Sequence, residues 1–306
     1  MMSKLASAAV GSFLAVASFD AAALDYKTVI GAGGVPLTTV EAGDRSKPAI
    51  VLIHGFAQSH MSFVRQLESP DLTREFHLIA FDLRGHGNSG KPWDKAAYAA
   101  SKPWGDDVIA VMDATGVSRA VLVGWSFGGY ILPNVIEHHG TKRIAGLNIV
   151  GSIGGMVPPD TSTPPPSNAR EVMAANRARS TSQNTMDNFI ASKNAVNFLT
   201  AQPGDQQWQD LALAGNLLLS AYVRVAMNGR SLDNAKVLPL IDVPVLISRG
   251  TRDAVITAKQ AEQLRAAIKG ARDSVYQDIG HSTFYEASDR FNRELAEFAK
   301  AAFARN

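Results

Sequence analysis

The segment Gly124-Trp125-Ser126-Phe127-Gly128-Gly129 follows the apolar run Ala120–Val123 and precedes a stretch of helical character that extends to about His138. The order is therefore a buried strand, a turn and a helix. A G-x-S-x-G pattern in this context sets a serine hydroxyl on a sharp, strained turn, where the glycines relieve crowding. The first amides of the helix point to where negative charge develops on a reacting carbonyl. The segment predicts that Ser126 is a nucleophile, and an incidental glycine-rich turn is the weaker interpretation.

A nucleophilic serine needs a base, and the base needs a group that orients it. His281 follows a short predicted strand at Ser274–Gln277, and Asp253 follows the buried run Pro244–Ser248. The chain order serine, aspartate, histidine is the order expected after such an elbow. All three residues come after predicted parallel strands, at the edge where open α/β sheets bind ligands. We predict His281 as the base and Asp253 as the orienting acid, with Asp82 as the rival acid.

Two backbone amides are predicted to hold the oxyanion, those of Phe56 and Phe127. The motif His54-Gly55-Phe56 ends the apolar run Ala49–Ile53, and the second donor beside such an elbow comes from a loop after an early strand. A simple turn is the alternative for this motif when it is considered alone. We expect the His54 side chain to position backbone, and we expect His86, in a glycine-rich turn, to be structural.

Apolar runs and helical stretches alternate along the chain, which predicts a parallel sheet flanked by helices and hence the α/β class. Two strands at Tyr26–Ile30 and Val35–Val40 precede this alternation. The glycine-rich turn between them is not followed by the helix that a dinucleotide-binding loop requires. The alternation stops after Gly155 at a proline-rich linker, gives way to helix-forming sequence over residues 168–229, and resumes at Pro244. A helical insert of this kind predicts a lid over the active-site edge of the sheet.

Five short motifs, in this order along the chain, resemble those of the α/β-hydrolase superfamily: His54-Gly55-Phe56, Asp82–Ser89, Gly124–Gly129, Gly250–Asp253 and Gly280-His281. The likeness covers the chain from about Tyr26 to the C-terminus, except for the lid. It is closest to the esterase and cofactor-free haloperoxidase (perhydrolase) branch. The resemblance implies an α/β-hydrolase fold, with a mainly parallel eight-stranded sheet, a reversed second strand and a helical lid after the sixth strand.

The resemblance also implies a domain division, with the core at residues 24–156 and 236–306 and the lid at residues 157–235. It assigns the same roles as the motifs do: Ser126, Asp253 and His281 as the catalytic residues, and the amides of Phe56 and Phe127 as the oxyanion hole. Epoxide hydrolases and haloalkane dehalogenases resemble the chain too, but they have an aspartate at the elbow. Ser126 therefore argues against both of those activities.

The composition narrows the classes of partner and cofactor. The chain has 306 residues with a net charge of +2, and it has no cysteine. So small a charge does not favour nucleic acid as a partner. The lack of cysteine excludes disulfides, thiolate metal sites and cysteine nucleophiles. No ligand set for a metal, flavin or nicotinamide is visible in the sequence, so no cofactor is expected. The expected partner is a small ester-like substrate. The oligomeric state is not predicted.

Residues 1–23 have the features of a secretory signal peptide. Lys4 is followed by an uncharged, largely apolar run, and small-residue cleavage sites occur at Ala15–Ala17 and Ala21–Ala23. The run is too short for a spanning helix, so no stable membrane insertion is expected. We predict a periplasmic or secreted protein. An N-terminal extension on a cytoplasmic enzyme is the alternative.

These features predict a serine hydrolase that cleaves a small-to-medium, apolar carboxylic ester or lactone through an acyl-enzyme. Two other functions stay open. A cofactor-free perhydrolase or haloperoxidase would use the same three catalytic residues, and a non-catalytic ligand-binding protein would keep the pocket without turnover. Substrate identity does not follow from the motifs, because this fold hosts many chemistries.

Overall fold

The computed structural model describes residues 24–160 and 169–305. The predicted signal peptide, residues 1–23, lies outside the described residues, and so does the middle of the proline-rich linker. Export and the position of the cleavage site therefore stay predictions.

In the described part of the chain, eight strands form one sheet with the order β1-β2-β4-β3-β5-β6-β7-β8. Strand β2 is antiparallel to both of its neighbours, and the remaining pairs are parallel. The predicted fold class and the reversed second strand are confirmed. The strands are β1 (Asp25–Ile30), β2 (Pro36–Ala42), β3 (Ala49–Ile53), β4 (His77–Phe81), β5 (Ala120–Trp125), β6 (Ile144–Val150), β7 (Val245–Gly250) and β8 (Arg272–Tyr276).

Helices connect the strands and cover the sheet. They are α1 (Val64–Leu67), α2 (Pro70–Thr73), α3 (Ala96–Ala99), α4 (Lys102–Ala114), α5 (Phe127–His139), α6 (Ala169–Ser180), α7 (Thr185–Val196), α8 (Gln206–Leu218), α9 (Ala221–Met227), α10 (Ala258–Ala267), α11 (Thr283–Glu286) and α12 (Ser288–Phe303). Short 3-10 turns occur at Ala32–Gly34, His60–Phe63 and Ala235–Leu240.

The central strands of the sheet are buried on both faces, as their continuous apolar sequences require. Every residue of β3 and β5 is buried. Trp104 and Val108 of α4 pack in the cluster on one face, together with apolar residues of α5. Phe291 and Leu295 of α12 pack in the cluster on the other face. The sheet is thus a rigid platform whose strand ends have fixed relative positions.

Parallel register brings the functional segments to one edge. Ile53 at the end of β3 is paired with Gly124 of β5, and Gly250 of β7 is paired with Tyr276 of β8. The loops that follow these four strands therefore begin side by side at the carboxyl edge. Those loops carry the motifs that the sequence singled out.

Helices α6 to α9 lie between β6 and β7 in the sequence and pack over this edge. Trp208 of α8 is buried, and its ring stacks on Tyr285 at a centroid distance of 4.1 Å. Gln58, in the loop after β3, donates a hydrogen bond from Nε2 to the carbonyl of Ala212 at 3.3 Å. The Tyr222 hydroxyl of α9 donates to the carbonyl of Lys91 at 2.7 Å. The helical insert is therefore anchored to the body at several points.

Within the described residues, no single helix has the length and apolarity to cross a membrane. Helices α8 and α9 have the required length and apolarity only as a pair, and the pair is bent by 75°.

Candidate active site

Ser126 lies on the sharp turn between β5 and α5. Its backbone has φ 52° and ψ −115°, in the region that favours glycine, so the turn is strained. A Cβ at Gly124 would lie 2.6 Å from the carbonyl oxygen of Gly128, and one at Gly128 would lie 2.1 Å from that of Ile53. Both positions therefore require glycine for a steric reason, and together they hold the serine at the start of α5 with its side chain partly exposed.

His281 and Asp253 are hydrogen-bonded to each other. The imidazole Nδ1 lies 3.0 Å from Oδ1 and 2.9 Å from Oδ2 of the carboxylate. Only 2 % of the His281 side chain and 1 % of the Asp253 side chain are exposed. The Asp253 Oδ1 also accepts hydrogen bonds from the amides of Val255 at 2.7 Å and Ile256 at 3.1 Å. The carboxylate is thus fixed by its own loop and in turn fixes the imidazole.

Two residues whose roles the motif analysis did not predict hold the His281 loop in place. Trp125 donates from Nε1 to the carbonyl oxygen of His281 at 3.0 Å. Glu286 accepts from the amide of Gly280 at 3.0 Å and from the amide of Ala201, in the helical insert, at 2.7 Å. Burial raises the pKa of the Glu286 carboxyl, and these backbone hydrogen bonds offset only part of that effect. No sequence pattern marks Glu286, because its two partners meet only in the fold.

The two amides predicted for the oxyanion hole have no hydrogen-bond partner among the described residues. Neither the Phe56 nor the Phe127 amide donates to a backbone or side-chain acceptor there. Ala57, directly after Phe56, has a φ of 57°, which is uncommon for a residue with a Cβ. The strain at this turn and at Ser126 is consistent with backbone conformations maintained for function.

A cavity of about 680 Å³ opens beside Ser126 and His281, and both residues line it. Phe56 lines it as well, and α6, α7, α8 and α9 supply much of its wall. No hydrogen bond joins Ser126 to His281 in the described structure, and such contacts in hydrolases commonly tighten only with substrate in place. The cavity is large enough for a small-to-medium organic ligand.

Asp82, the rival acid, occupies a different environment. Its Oδ1 accepts from the amide of His60 at 2.7 Å and lies 2.8 Å from the imidazole Nδ1 of His60, and its Oδ2 accepts from the amide of Asn88 at 2.8 Å. Burial raises the pKa of the Asp82 carboxyl, but the bonds and charge of His60 outweigh it, so the net pKa is lowered. Asp82 makes no contact with His281 among the described residues and instead secures the turn after β4.

His54 and His86 are fully buried and play structural roles. The Nε2 of His54 accepts from the amide of Leu83 at 3.0 Å, and its Nδ1 donates to the carbonyl of Gly55 at 2.7 Å. The Nδ1 of His86 donates to the carbonyl of Arg84 at 3.0 Å. Burial lowers the pKa of His54 to about 4 and that of His86 to about 3. Both imidazoles are therefore neutral at physiological pH.

Lowering the pH from 6.5 to 4 should destabilise the protein. The unfolded His54 has the ordinary pKa of 6.5 and binds a proton in this window, whereas the folded residue, with a pKa of about 4, does not. Stability therefore falls as the pH falls, by about 3 kcal/mol from His54 alone. Protonation would also place a hydrogen on Nε2, facing the Leu83 amide. Denaturant unfolding at a series of pH values measures the effect. His54→Gln should flatten the pH dependence, and an unchanged slope would contradict this origin.

The site combines a strained serine, an oriented imidazole and two unpartnered amides around one cavity. A set of this kind can activate a hydroxyl, attack a carbonyl and stabilise the resulting oxyanion. Within residues 24–160 and 169–305, no three histidine, aspartate or glutamate side chains cluster so as to hold a metal ion.

An eight-stranded sheet of this order, with a serine elbow after β5 and a His–Asp pair after β8 and β7, defines the α/β-hydrolase class. The model of the alpha/beta hydrolase family matches residues 50–294, and the chain belongs to that family.

Relatives from the same family include esterases and a haloperoxidase. The crystal structure of a candidate aryl esterase from Burkholderia cenocepacia superposes with a TM-score of 0.83, and its sequence is 31 % identical to this chain. The match covers 92 % of this chain and 100 % of that one. The esterase RhEst1 from Rhodococcus sp. ECU1013 is 29 % identical, with a TM-score of 0.77, over 90 % of this chain and 99 % of that one. A non-heme haloperoxidase from Rhodococcus erythropolis is 29 % identical over 245 residues, which are 74 % of this chain and 84 % of that protein.

Proposed function

We propose that the protein is a serine hydrolase that cleaves a small-to-medium carboxylic ester or lactone through an acyl-enzyme. The observation that carries the proposal is the bond from His281 to Asp253 beside the strained Ser126, with His281 and Ser126 both lining the cavity. Ser126 is the nucleophile, His281 the base and Asp253 the group that orients it. The unpartnered amides of Phe56 and Phe127 support an oxyanion hole at the same place.

In the first half-reaction the Ser126 Oγ bonds to the ester carbonyl carbon as His281 Nε2 takes its proton. The tetrahedral oxyanion is held by the two amides, and its collapse breaks the bond to the alcohol oxygen, which receives the proton from His281. In the second half-reaction water attacks the acyl-enzyme with the same proton transfers and releases the carboxylic acid. Asp253 keeps the proton-bearing Nδ1 turned away from the serine and stabilises the imidazolium.

A series of p-nitrophenyl esters from acetate to dodecanoate tests the activity. The cavity of about 680 Å³ has a largely apolar wall, to which Ala195, Leu199 and Val255 contribute. We therefore expect the highest kcat/KM at short-to-medium acyl chains and a decline towards dodecanoate. The measurement is the initial rate of p-nitrophenolate release, corrected for spontaneous hydrolysis. Rates no higher than that background across the whole series would contradict the proposal.

Perhydrolysis is the second candidate, and the similarity to a non-heme haloperoxidase favours it. Hydrogen peroxide would replace water as the nucleophile towards the acyl-enzyme, and the product would be a peracid that oxidises halide in solution. Halogenation that depends on both peroxide and acetate, and exceeds ester hydrolysis in rate, would assign this function instead.

A further inference from the structure

Two arginines line the cavity beside Ser126. Among the described residues that line it, none is an aspartate or a glutamate. Arg177 of α6 is exposed and donates to the side chain of Asn228 at 2.9 Å. Arg224 of α9 is buried, with 8 % of its surface exposed. The helical insert therefore places a buried positive charge at a cavity with no described acidic wall residue.

Arg224 is held by oxygens that carry no net charge. Its Nε donates to the carbonyl of Leu219 at 3.2 Å. Its Nη2 donates to the backbone carbonyl of Asn216 at 2.7 Å and to the Asn216 side-chain oxygen at 2.8 Å. No carboxylate of the described chain lies within ion-pair distance of this guanidinium. These bonds fix its orientation and leave Nη1 with two N–H groups that have no partner among the described residues.

Nη1 of Arg224 is accessible rather than enclosed. Nε and Nη1 of Arg230 are buried atoms that have no hydrogen-bond partner in the described structure. No nitrogen of Arg224 is both buried and without a partner in this way. Burial lowers the pKa of Arg224 to about 10, so the guanidinium is charged at neutral pH. Arg224 lines the cavity, so a ligand bound there lies against this residue.

The guanidinium of Arg224 lies close to the side chain of Phe56, a residue of the proposed oxyanion hole. Its Cζ lies 5.7 Å from the ring centroid of Phe56, whose amide belongs to the proposed oxyanion hole. A charge taken out of water without a counter-ion is costly, and a carboxylate is the partner that guanidinium groups bind best. A substrate that carried a carboxylate would supply the missing counter-ion while its ester reached Ser126.

We propose that Arg224 is a specificity-determining residue, and that the substrates are esters or lactones bearing a free carboxylate, which binds at Nη1 of Arg224. The proposal rests on the proposed serine hydrolase function and refines the expectation of an apolar substrate: the body of the substrate is apolar and one end is anionic. The helical insert then supplies the charge recognition, and the sheet edge supplies the chemistry.

Turnover of matched charged and neutral esters tests the proposal. Monomethyl glutarate is compared with its ω-amide, and 3-acetoxypropanoate with its amide, so that the carboxylate is on the acyl side in one pair and on the alcohol side in the other. In at least one pair we expect wild type to prefer the carboxylate. Arg224→Met should lower that charged-to-neutral ratio of kcat/KM by about 10- to 100-fold, mainly through KM for the charged ester. Arg224→Lys should restore part of the preference, which a merely structural role would not do.

Arg230→Met is the matched control, since Arg230 is partly buried but does not line the cavity. Its charged-to-neutral ratio should equal that of wild type. Thermal unfolding of each variant identifies any that fails to fold. Measurable but equal turnover of the charged and neutral esters in both pairs by wild type, or a ratio unchanged in folded Arg224→Met, would overturn the proposal.

A binding measurement separates this proposal from the proposed function. Calorimetry with Ser126→Ala measures the affinity for monomethyl glutarate, 3-acetoxypropanoate and their amides without turnover. Tighter binding of at least one carboxylate supports the role of Arg224 even if wild type hydrolyses neither these esters nor the p-nitrophenyl series, an outcome that would overturn only the hydrolase. Equal binding within both pairs overturns the anion site, whatever the hydrolase activity.

Discussion

Ser126→Ala should lower ester turnover by about 10³-fold or more, because it removes the proposed nucleophile and leaves only binding and oxyanion stabilisation. The fold should tolerate the change, since Ala lacks only the hydroxyl and no hydrogen bond of that hydroxyl contributes to the described structure. A fluorophosphonate should modify wild type with a mass shift on the peptide that contains residue 126, and it should leave Ser126→Ala unmodified. Active-site titration and peptide mass spectrometry measure the two effects.

Ser180→Ala provides a control within the same cavity. Ser180 also lines it, but its hydroxyl donates to the carbonyl of Arg177 at 2.8 Å. Labelling should persist in this variant at the same peptide as in wild type. Labelling that survived Ser126→Ala and was lost in Ser180→Ala would move the nucleophile to the helical insert.

The elements that sequence could predict are those whose signal is local. The buried strand at Ala120–Trp125, the glycine spacing around Ser126 and the helix after it each follow from short-range sterics and apolar patterning. The parallel sheet then follows from the alternation of strands and helices, and its reversed second strand follows from the family resemblance. For this reason the positions of Ser126, Asp253 and His281 at one sheet edge could be anticipated before any coordinates.

The contacts that sequence could not predict join residues far apart in the chain. Glu286 links the Gly280 amide to that of Ala201, and Trp125 holds the carbonyl of His281, 156 positions away. Arg224 is one of many arginines, and only packing distinguishes a buried guanidinium that faces a cavity from one on the surface. The apolar composition of the helical insert predicted an apolar pocket. One charged residue hardly changes that composition, so composition could not reveal that Arg224 lines the cavity.

The environment of Asp253 decides what an asparagine would do in its place. Oδ1 is held by the amides of Val255 and Ile256, which can only donate, so the amide oxygen of an asparagine would take that position. The NH₂ group would then replace Oδ2, which lies 2.9 Å from Nδ1 of His281. An NH₂ there would donate to Nδ1 and move the imidazole proton to Nε2, the nitrogen that accepts the proton of Ser126 in the proposed mechanism.

Asp253→Asn should therefore lower kcat by about 10³- to 10⁴-fold with little loss of stability. Asp82→Asn should do the reverse, because its carboxylate accepts two backbone amides and the His60 imidazole, and an NH₂ would oppose one of those donors. We expect a marked fall in melting temperature, with turnover per titrated active site reduced only modestly. Thermal unfolding and active-site-titrated kinetics of the two variants separate the effects. A normal rate in Asp253→Asn together with a collapsed rate in folded Asp82→Asn would assign the orienting acid to Asp82. That result would require the His281 loop to move away from the Asp253 carboxylate, because the Asp82 carboxylate is already hydrogen-bonded within the turn after β4.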